Sequence, residues 1–311
     1  MRVLSDRTEA ATPLLRASGD LRPTAVDLLP TADRRLWQAL GRGSSVWTGA
    51  LSTERAWSRL VIVDEAETSQ LAALNVLAGD PRALEGGVAA LALTGRGFHG
   101  QRGRPWAAVR GNLHLTVGVA LEASAAAVAP ALTMLPAVAV CDAIRKVSGG
   151  RLSPGIRWVN DVLLEGKKVG GVLTLCQSRG DRIVSVIFGI GLNVGVTPDV
   201  VLSPFTPAVG SLADASQHEL GLSAVLWALL DALSVRLAAL AAGEVHPLLD
   251  TYRATSVILG RRVQVWDEAA NDIRSGDRPI AEGVVEAIED DLCLKLVGVD
   301  RLVSRGRLVL V

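Results

Sequence analysis

The sequence predicts an α+β core followed by a small all-β module. Up to residue 256, short apolar runs typical of buried strands are mixed with longer segments of helical spacing. After Leu259-Gly260 the pattern changes to short strands broken by turns, which is typical of a small barrel. Prolines break the first 58 residues repeatedly, so this segment is predicted to be an extension. The chain therefore divides into an extension at 1–58, an α+β domain at 59–256 and a β module at 257–311.

The composition excludes several classes of protein. A chain of 311 residues with 49% hydrophobic and 21% charged residues is neither disordered nor too short for a core. Its 32 basic and 32 acidic residues cancel, so the basic excess typical of nucleic-acid binders is absent. The three cysteines stand far apart and are expected to be reduced thiols.

No targeting segment is expected. The N-terminus lacks the continuous apolar run of a signal peptide, and the uncharged segment 123–141 is mostly alanine with two prolines. Because alanine drives little membrane insertion, this segment is predicted to be a buried core helix. We therefore expect a soluble, cytoplasmic protein that binds neither membrane nor nucleic acid.

Elements are predicted in the following order. Only Thr31–Leu40 is helical within the extension, and no helix-turn-helix fits there. The first half of the domain has these elements: a strand at Arg59–Asp64, a helix at Glu67–Ala78, strands at Val88–Leu93 and Asn112–Leu121, and a helix at Ala131–Val147.

The second half begins with strand pieces and a hairpin. Its predicted elements are strands at Ile156–Trp158, Val162–Glu165, Lys168–Leu175 and Arg182–Gly191, with Glu165-Gly166-Lys167 as a turn, an amphipathic helix over 222–240, and a helix at Val245–Ser256. The β module follows with strands at Val263–Trp266, Glu282–Ile288, Leu292–Leu296 and Leu302–Val311.

A glycine- and arginine-rich loop is the first candidate for binding chemistry. Gly95–Arg110 holds four arginines, four glycines, one histidine and no acid. Glycines allow the backbone to approach a ligand, and arginines supply forked donors for phosphate or carboxylate. The pattern favours a phosphate-binding lid, with a solvated basic loop or an RNA contact as alternatives.

The predicted hairpin carries the second candidate. Asn160 and Asp161 lie between two strands, and Lys167 and Lys168 follow the turn. Such an aspartate and lysine can address one polyanion, the aspartate through Mg²⁺, although an ordinary surface ion pair fits the same pattern. Because adjacent strand residues face opposite sides, only one of the two lysines can face a site.

A third candidate is the strand Phe188–Gly195. Gly189 and Gly191 weaken an apolar strand unless a ligand or another backbone segment approaches closely. The usual hydrolytic motifs and metal-ligand spacings do not occur in the sequence. Together, the basic loop, the lysine hairpin and the glycine-containing strand favour a reaction that is catalysed by positioning of the substrates and by electrostatic stabilisation.

In this order and spacing, the candidates resemble the motifs of biotin protein ligases. The family patterns AGRGRRGRxW, KWPND-x-GKKxxGIL and GIGxN have counterparts at Thr94–Trp106 (TGRG…QRGRPW), Arg157–Leu173 (RWVND…GKKVGGVL) and Gly189–Asn193 (GIGLN). An earlier Ser-Thr-Asn of the family corresponds to Thr68-Ser69-Gln70. The resemblance covers about residues 59–311 and implies a mixed sheet packed with helices, with an SH3-like C-terminal barrel.

The resemblance also implies a reaction and its participants. Biotin and MgATP would give biotinyl-5′-adenylate, and the biotinyl group would then pass to a lysine of a carboxylase's biotin carboxyl carrier domain. The implied catalytic residues are Lys168, Arg96, Arg102 and Arg104. The implied nucleotide-binding residues are Trp106, Asn160, Asp161 and Asn193, with Asp161 also holding Mg²⁺. The implied acid-binding residues are Thr68, Ser69, Gln70, Ala92, Gly95, Gly97 and Gly171.

The sequence departs from the family pattern in the acid pocket and nearby. Ala92 stands where the family has a glutamine that contacts biotin, Arg157 and Val159 replace a lysine and a proline, and the arginine loop is three residues longer. A lipoate- or octanoate-type acyl ligase or transferase and a non-catalytic biotin- or nucleotide-binding regulator are therefore alternatives. The DNA-binding repressor version is disfavoured because 1–58 offers no winged helix, and a homodimer is left open.

Overall fold

The computed structural model describes residues 1–15, 20–40, 43–52, 57–68, 70–216 and 219–311, with only the backbone of Thr68. The elements of the first half are β1 (Arg2–Ser5), α1 (Thr8–Ala11), β2 (Arg22–Ala25), α2 (Thr31–Ala39), β3 (Ser45–Ala50), β4 (Arg59–Thr68), α3 (Gln70–Ala78), β5 (Val88–Gly97), β6 (Leu113–Ser124) and α4 (Ala125–Val147). Those of the second half are β7 (Gly155–Arg157), β8 (Asp161–Leu164), β9 (Lys167–Arg179), β10 (Arg182–Leu192), α5 (Leu212–Ala215), α6 (Leu222–Ala241), α7 (Val245–Thr255), β11 (Arg262–Trp266), β12 (Ala281–Ile288), β13 (Leu294–Leu296) and β14 (Arg307–Leu310).

One ten-stranded mixed sheet organises the molecule. Its strand order is β2-β3-β1-β4-β5-β6-β10-β9-β8-β7. The pairs β1–β4 and β4–β5 are parallel, and the other pairs are antiparallel. The predicted mixed sheet packed with helices is confirmed.

The N-terminal segment differs from its expected status as an extension. β1, β2 and β3 all belong to the main sheet, and β1 pairs directly with β4. Val3 and Leu4 of β1 are fully buried. Short strands with few apolar residues leave a weak periodic signal, and Pro23 lies on the edge strand β2, where a missing N–H is tolerated. The boundary at residue 58 therefore does not separate this segment from the sheet.

Helices cover both faces of the sheet. Strand residues alternate between the faces, so Leu91 and Leu93 of β5 join the cluster around α4 and α6, while Ala90 and Ala92 join the cluster around α2 and α3. The functional candidates lie on the α3 face, as described below.

Two described helices, α4 and α6, are long and apolar enough to cross a membrane by length and composition alone. In α4, 72% of the most apolar window is buried inside the fold, where the helix packs against α6, α7 and the sheet. The uncharged segment 123–141 thus contributes a buried core helix, as its composition predicted.

Local pairing explains where the predicted elements differ in length. β4 continues to Thr68, which pairs with Gly97, so α3 begins at Gln70 rather than Glu67. The predicted turn after β8 is present. Glu165 (φ 51°) and Gly166 (φ 78°) both have the positive φ that a two-residue hairpin turn requires.

The C-terminal module is a four-stranded antiparallel sheet with the order β13-β12-β11-β14. Trp158 Nε1 donates to the Leu292 carbonyl at 2.8 Å, and Arg253 Nε donates to the Ile288 carbonyl at 2.8 Å. These bonds attach the module to the large domain, next to the hairpin. The SH3-like barrel stays a prediction.

A buried ion pair fixes the N-terminal segment to the sheet. Asp33 of α2 accepts from Arg59 Nη1 of β4 at 3.2 Å, and Arg2 of β1 bonds the same carboxylate. The side chains of Asp33 and Arg59 are 2% and 9% exposed. Removing one member of such a pair leaves the other charge buried without compensation.

We expect Asp33→Ala to lower the free energy of unfolding by about 3–5 kcal/mol, because Arg59 would stay buried without a counter-charge. Urea denaturation followed by circular dichroism measures the change. Asp27→Ala, at an exposed position just before the same helix, is the matched control and should change stability by about 0.5 kcal/mol or less. Equal effects of the two substitutions would contradict the role of the ion pair.

Candidate functional site

A cavity of about 320 Å³ opens on the α3 face of the large sheet. Its walls come from the start of α3, the arginine-rich loop, β6, β8, β9, β10, the segment after β10 and the C-terminal module. The lining side chains that bear on its chemistry are Gln70, Leu71, Phe98, Arg104, Trp106, His114, Asn160, Asp161, Lys168, Leu173, Asn193, Asn271 and Arg307.

One row of cross-strand neighbours forms the floor of this region. Ala92 of β5 pairs with His114, His114 with Gly191, Gly191 with Gly171, and Gly171 with Asp161. Directly opposite residues of neighbouring strands project from the same face. The row therefore brings residues that lie far apart in the sequence to one side of the sheet.

Glycines in the row make room for Trp106. A Cβ at Gly191 would lie 2.4 Å from the indole ring, and a Cβ at Gly171 would lie 3.7 Å from it. The close approach expected at Gly191 is thus made by a side chain of this chain. The indole lies across β9 and β10 as a wall of the cavity.

Trp106 is also held from the other side. Its Nε1 donates to His114 Nδ1 at 3.3 Å, and His114 Nε2 lies 3.0 Å from the Val109 carbonyl oxygen. Gln70 Nε2 donates to the His114 carbonyl at 3.2 Å. Burial lowers the pKa of His114, and the Val109 contact only partly opposes this. The imidazole is therefore neutral at pH 7.

A charged cluster occupies the end of the cavity near β8. Asp161 accepts from Lys168 Nζ at 2.5 Å and from Arg157 Nη2 at 2.7 Å. Burial raises the pKa of Asp161, but the adjacent charges of Lys168 and Arg157 and their hydrogen bonds outweigh it, so the pKa is lowered. The carboxylate stabilises the fold at neutral pH, and this contribution is lost as the pH falls through the lowered pKa.

Arg307 extends the cluster from the C-terminal module. Its guanidinium carbon lies 3.8 Å from the centre of the Phe205 ring, and its Nη1 donates to the Ala270 carbonyl. Its Nε is buried and finds no acceptor among the described residues. Burial, followed by the positive charge of Arg104, lowers the pKa of Arg307 to about 10. Lys168 and Arg157 thus contact the Asp161 carboxylate, and Arg307 lies near it and near Arg104, which is an arrangement suited to an anionic ligand.

The structure brings most of the predicted site residues together. The cavity is lined by Lys168, Arg104, Trp106, Asn160, Asp161, Asn193, Gln70 and Gly171. Asn193 Nδ2 donates to the Gly210 carbonyl, while its buried Oδ1 accepts no hydrogen bond from any described residue. A ligand donor, such as a nucleotide amine or hydroxyl, would satisfy that oxygen.

Two predicted arginines lie outside the cavity. Arg96 pairs with Glu65 at 3.0 Å, and its side chain is 82% exposed. Arg102 pairs with Glu268 of the C-terminal module. Glu65 belongs to β4, and Glu268 lies in the turn after β11. Both carboxylates are distant from the loop in the sequence, so the sequence does not predict these ion pairs.

Three predicted acid-binding residues do not line the cavity either. Ala92, at one end of the floor row, is fully buried in the cluster that contains Phe98 and does not reach the cavity. Gly95 accommodates the Phe98 ring, which would lie 2.1 Å from a Cβ there, and Gly97 continues β5. Ser69 and the side chain of Thr68 lie outside the described residues.

The two lysines of the hairpin point to opposite sides, as strand alternation predicts. Lys168 lines the cavity, whereas the Lys167 side chain lies beside Gly210 and its charge acts on Asp214. Only Lys168 is available to a ligand in the cavity.

The expected magnesium role of Asp161 does not fit this arrangement. Both of its carboxylate oxygens already accept from cationic side chains. Within the described ranges, no three histidine, cysteine, aspartate or glutamate side chains group closely enough to hold a metal ion. We therefore assign no metal ligand here.

Sequence reasoning missed His114, Phe98 and Arg307. His114 lies on a predicted strand, but its importance depends on the register that pairs it with Gly191. Arg307 lies in a different module and carries no motif around it. Only the three-dimensional packing of the modules reveals that it reaches the cavity.

The sequence is similar to that of known proteins. Residues 68–193 match the model of the biotin/lipoate A/B protein ligase family. The chain is 30% identical over 220 residues to a biotin–[acetyl-CoA-carboxylase] ligase of Mycobacterium tuberculosis, covering 69% of this chain and 74% of the relative.

A second relative matches over a shorter segment. The bifunctional ligase/repressor BirA of Bacillus subtilis is 38% identical over 97 residues, which is 31% of this chain. The match spans only 29% of that relative's length.

The fold agrees with that of a solved ligase. The biotin protein ligase of Aquifex aeolicus, solved in complex with biotin and ATP, superposes with a TM-score of 0.60 at 18% identity, over 82% of this chain and 99% of the other. Because the Mycobacterium relative is matched over most of its length, the chain belongs to the biotin protein ligases of the biotin/lipoate A/B protein ligase family.

Proposed function

We propose that this chain is an ATP-dependent biotin protein ligase. In the first step, the biotin carboxylate attacks the α-phosphorus of ATP, and the bond to the β-phosphate oxygen breaks to release pyrophosphate. In the second step, a lysine amine of a carboxylase's carrier domain attacks the acyl carbon. AMP leaves, and the amine loses a proton to solvent.

The observation that carries the proposal is the placement of the charged cluster beside an uncharged end of the same cavity. Lys168, Arg104 and Arg307 surround the end near Asp161, and they suit the phosphates and the charge that develops during adenylation. Gln70, Leu71 and Leu173 line the other end, which suits a small acid with an apolar chain.

Specific roles follow from this arrangement. Lys168 is the cation closest to Asp161 and would stabilise the acyl phosphate and the later oxyanion. Trp106, Asn160 and Asn193 would contact the adenylate, Asn193 through its unsatisfied oxygen. Arg96 and Arg102 stay predictions, because each is ion-paired outside the cavity. Magnesium would enter with the triphosphate, as part of the substrate.

The remaining aspects of the proposal follow the resemblance. The partner would be a biotin carboxyl carrier domain, and the protein would work in the cytoplasm. The C-terminal sheet would be an SH3-like module that completes the domain division at residue 257. A homodimer stays a prediction.

ATP–pyrophosphate exchange with biotin, lipoate and octanoate as separate acids tests the function. We expect exchange with biotin, because the relative that matches most of this chain is a biotin–[acetyl-CoA-carboxylase] ligase and the uncharged end of the cavity suits a small acid with an apolar chain. Exchange with lipoate or octanoate but not with biotin would identify an acyl ligase instead of a biotin ligase. No exchange with any acid, from a folded protein, would favour a non-catalytic binder.

Lys168→Ala should lower the rate of adenylate formation by about 100-fold or more, because loss of one stabilising donor typically costs about 10²–10³ in kcat. Lys167→Ala is the matched control on the opposite side of the same strand, and its effect should be small. Single-turnover release of pyrophosphate measures both. Equal losses in two folded variants would contradict the assignment.

Arg307→Ala should weaken ATP binding by about 10- to 100-fold, because a hydrogen bond to a charged group contributes roughly 1.5–3 kcal/mol. Arg305→Ala, at an exposed position just before β14, should have little effect. Isothermal titration with ATP at two salt concentrations measures the affinity. Unchanged affinity in Arg307→Ala would remove this residue from the phosphate site.

A further inference from the structure

His114 contacts the cavity wall in a way that ligand binding alone does not explain. Its imidazole is sandwiched between two neighbours of the arginine-rich loop, the Trp106 indole N–H and the Val109 carbonyl. The Phe98 ring meets it edge-on, with ring centres 5.8 Å apart at 63°. His114 as a residue is 2% exposed.

These partners select one tautomer of the imidazole. The indole N–H can only donate, so Nδ1 must be the unprotonated acceptor. The Val109 carbonyl can only accept, so Nε2 must carry the hydrogen. Protonation of Nδ1 would set two donors against each other and break the bond to Trp106.

The contact lies between the two ends of the cavity. Gln70, at the acid end, bonds the His114 backbone, while Trp106 crosses Gly191 and Gly171 toward Lys168. The orientation of the indole therefore affects the shape of both the acid end and the phosphate end of the cavity. Since glycines leave the floor beneath the indole flat, His114 is the polar group that fixes the in-plane position of the ring.

We propose that His114 is a positioning residue whose neutral Nδ1 holds the Trp106 indole between the acid and phosphate ends of the cavity. The inference rests on the proposed function for its kinetic consequence, but the contact itself does not. Among the described residues, the strand-pairing, hydrogen-bond and ring neighbours of His114 are uncharged: Ala92, Gly191, Gln70, Phe98, Trp106 and Val109. The charged groups that line the same cavity are Arg104, Asp161, Lys168 and Arg307.

Two substitutions separate the two hydrogen bonds of the imidazole. In His114→Asn, the amide oxygen takes the place of Nδ1 and can accept the indole N–H without titrating near neutral pH. In His114→Gln, the longer amide places its N–H near Nε2 and can serve the Val109 carbonyl. A positioning role toward Trp106 is rescued by asparagine, whereas a role that merely anchors the loop is rescued by glutamine.

The KM values should depend on whether the Trp106 indole keeps its hydrogen bond to residue 114. We expect His114→Gln to raise KM for biotin and ATP by about three- to tenfold with a smaller change in kcat, the range for one lost neutral hydrogen bond. His114→Asn should stay within about twofold of wild type. The wild-type KM should rise as the pH falls below the ordinary histidine range, and this acid limb should disappear in His114→Asn. His246→Asn, at an exposed position on α7, should keep the limb.

The nuclear magnetic resonance spectrum of indole N–H groups reports on the contact without any activity. Of the seven tryptophans, the resonance that Trp106→Phe removes belongs to Trp106. We expect this resonance to move in His114→Gln, to stay near its wild-type position in His114→Asn, and to titrate with pH only in the wild type.

The inference is overturned if the Trp106 resonance is unchanged in His114→Gln, or if glutamine rather than asparagine preserves it. It is also overturned if the Trp106 resonance moves in His114→Gln but KM stays unchanged. Failure of the proposed function appears differently, as an absence of pyrophosphate exchange in the wild type while the Trp106 resonance still responds to His114.

Discussion

The geometry of the cavity depends on one cross-strand row, in which two glycines lie between His114 and Asp161. A side chain at Gly191 would collide with the Trp106 indole, so the wall of the cavity exists only because the row is bare there. Strand register places His114, the hydrogen-bond acceptor of the indole, on one side of the two glycines and Asp161 of the charged cluster on the other side. The distances between these groups cannot be derived from the sequence.

Electrostatics explains why the other flank fits a polyanion. Asp161 neutralises part of the charge of Lys168 and Arg157, but Arg104 and Arg307 have no carboxylate within ion-pair distance among the described residues. Like charges held together in a partly buried cavity raise the free energy of the empty state. A bound phosphate group would relieve that repulsion and satisfy the unpaired Arg307 Nε. The same imbalance argues against reading the hairpin as an ordinary surface ion pair.

The sequence predicts the hairpin and the glycine strand well because their signals are local. Glu165-Gly166 is a turn pattern with a direct backbone cause, and strand alternation separates Lys168 from Lys167. The sequence predicts poorly what depends on distant pairing. β1 is too short for a clear period yet lies inside the sheet, and Arg307 reaches the cavity only through packing of the two modules. Fold class and motif positions are thus readable from sequence, whereas strand membership and the inner surface of the site require tertiary contacts.

The positions of Arg96 and Arg102, the two arginines of the loop that lie outside the cavity, can be understood from the free energies of their ion pairs. Arg96 and Arg102 pair with Glu65 and Glu268 at the rim, where an exposed ion pair is worth about 0–1 kcal/mol. A hydrogen bond from a guanidinium to a phosphate in a part-buried cavity contributes roughly 1.5–3 kcal/mol, because water competes less there. A triphosphate in the cavity would therefore draw these arginines from their rim carboxylates. The catalytic role predicted for Arg96 and Arg102 therefore requires an incoming substrate to displace two weak rim pairs.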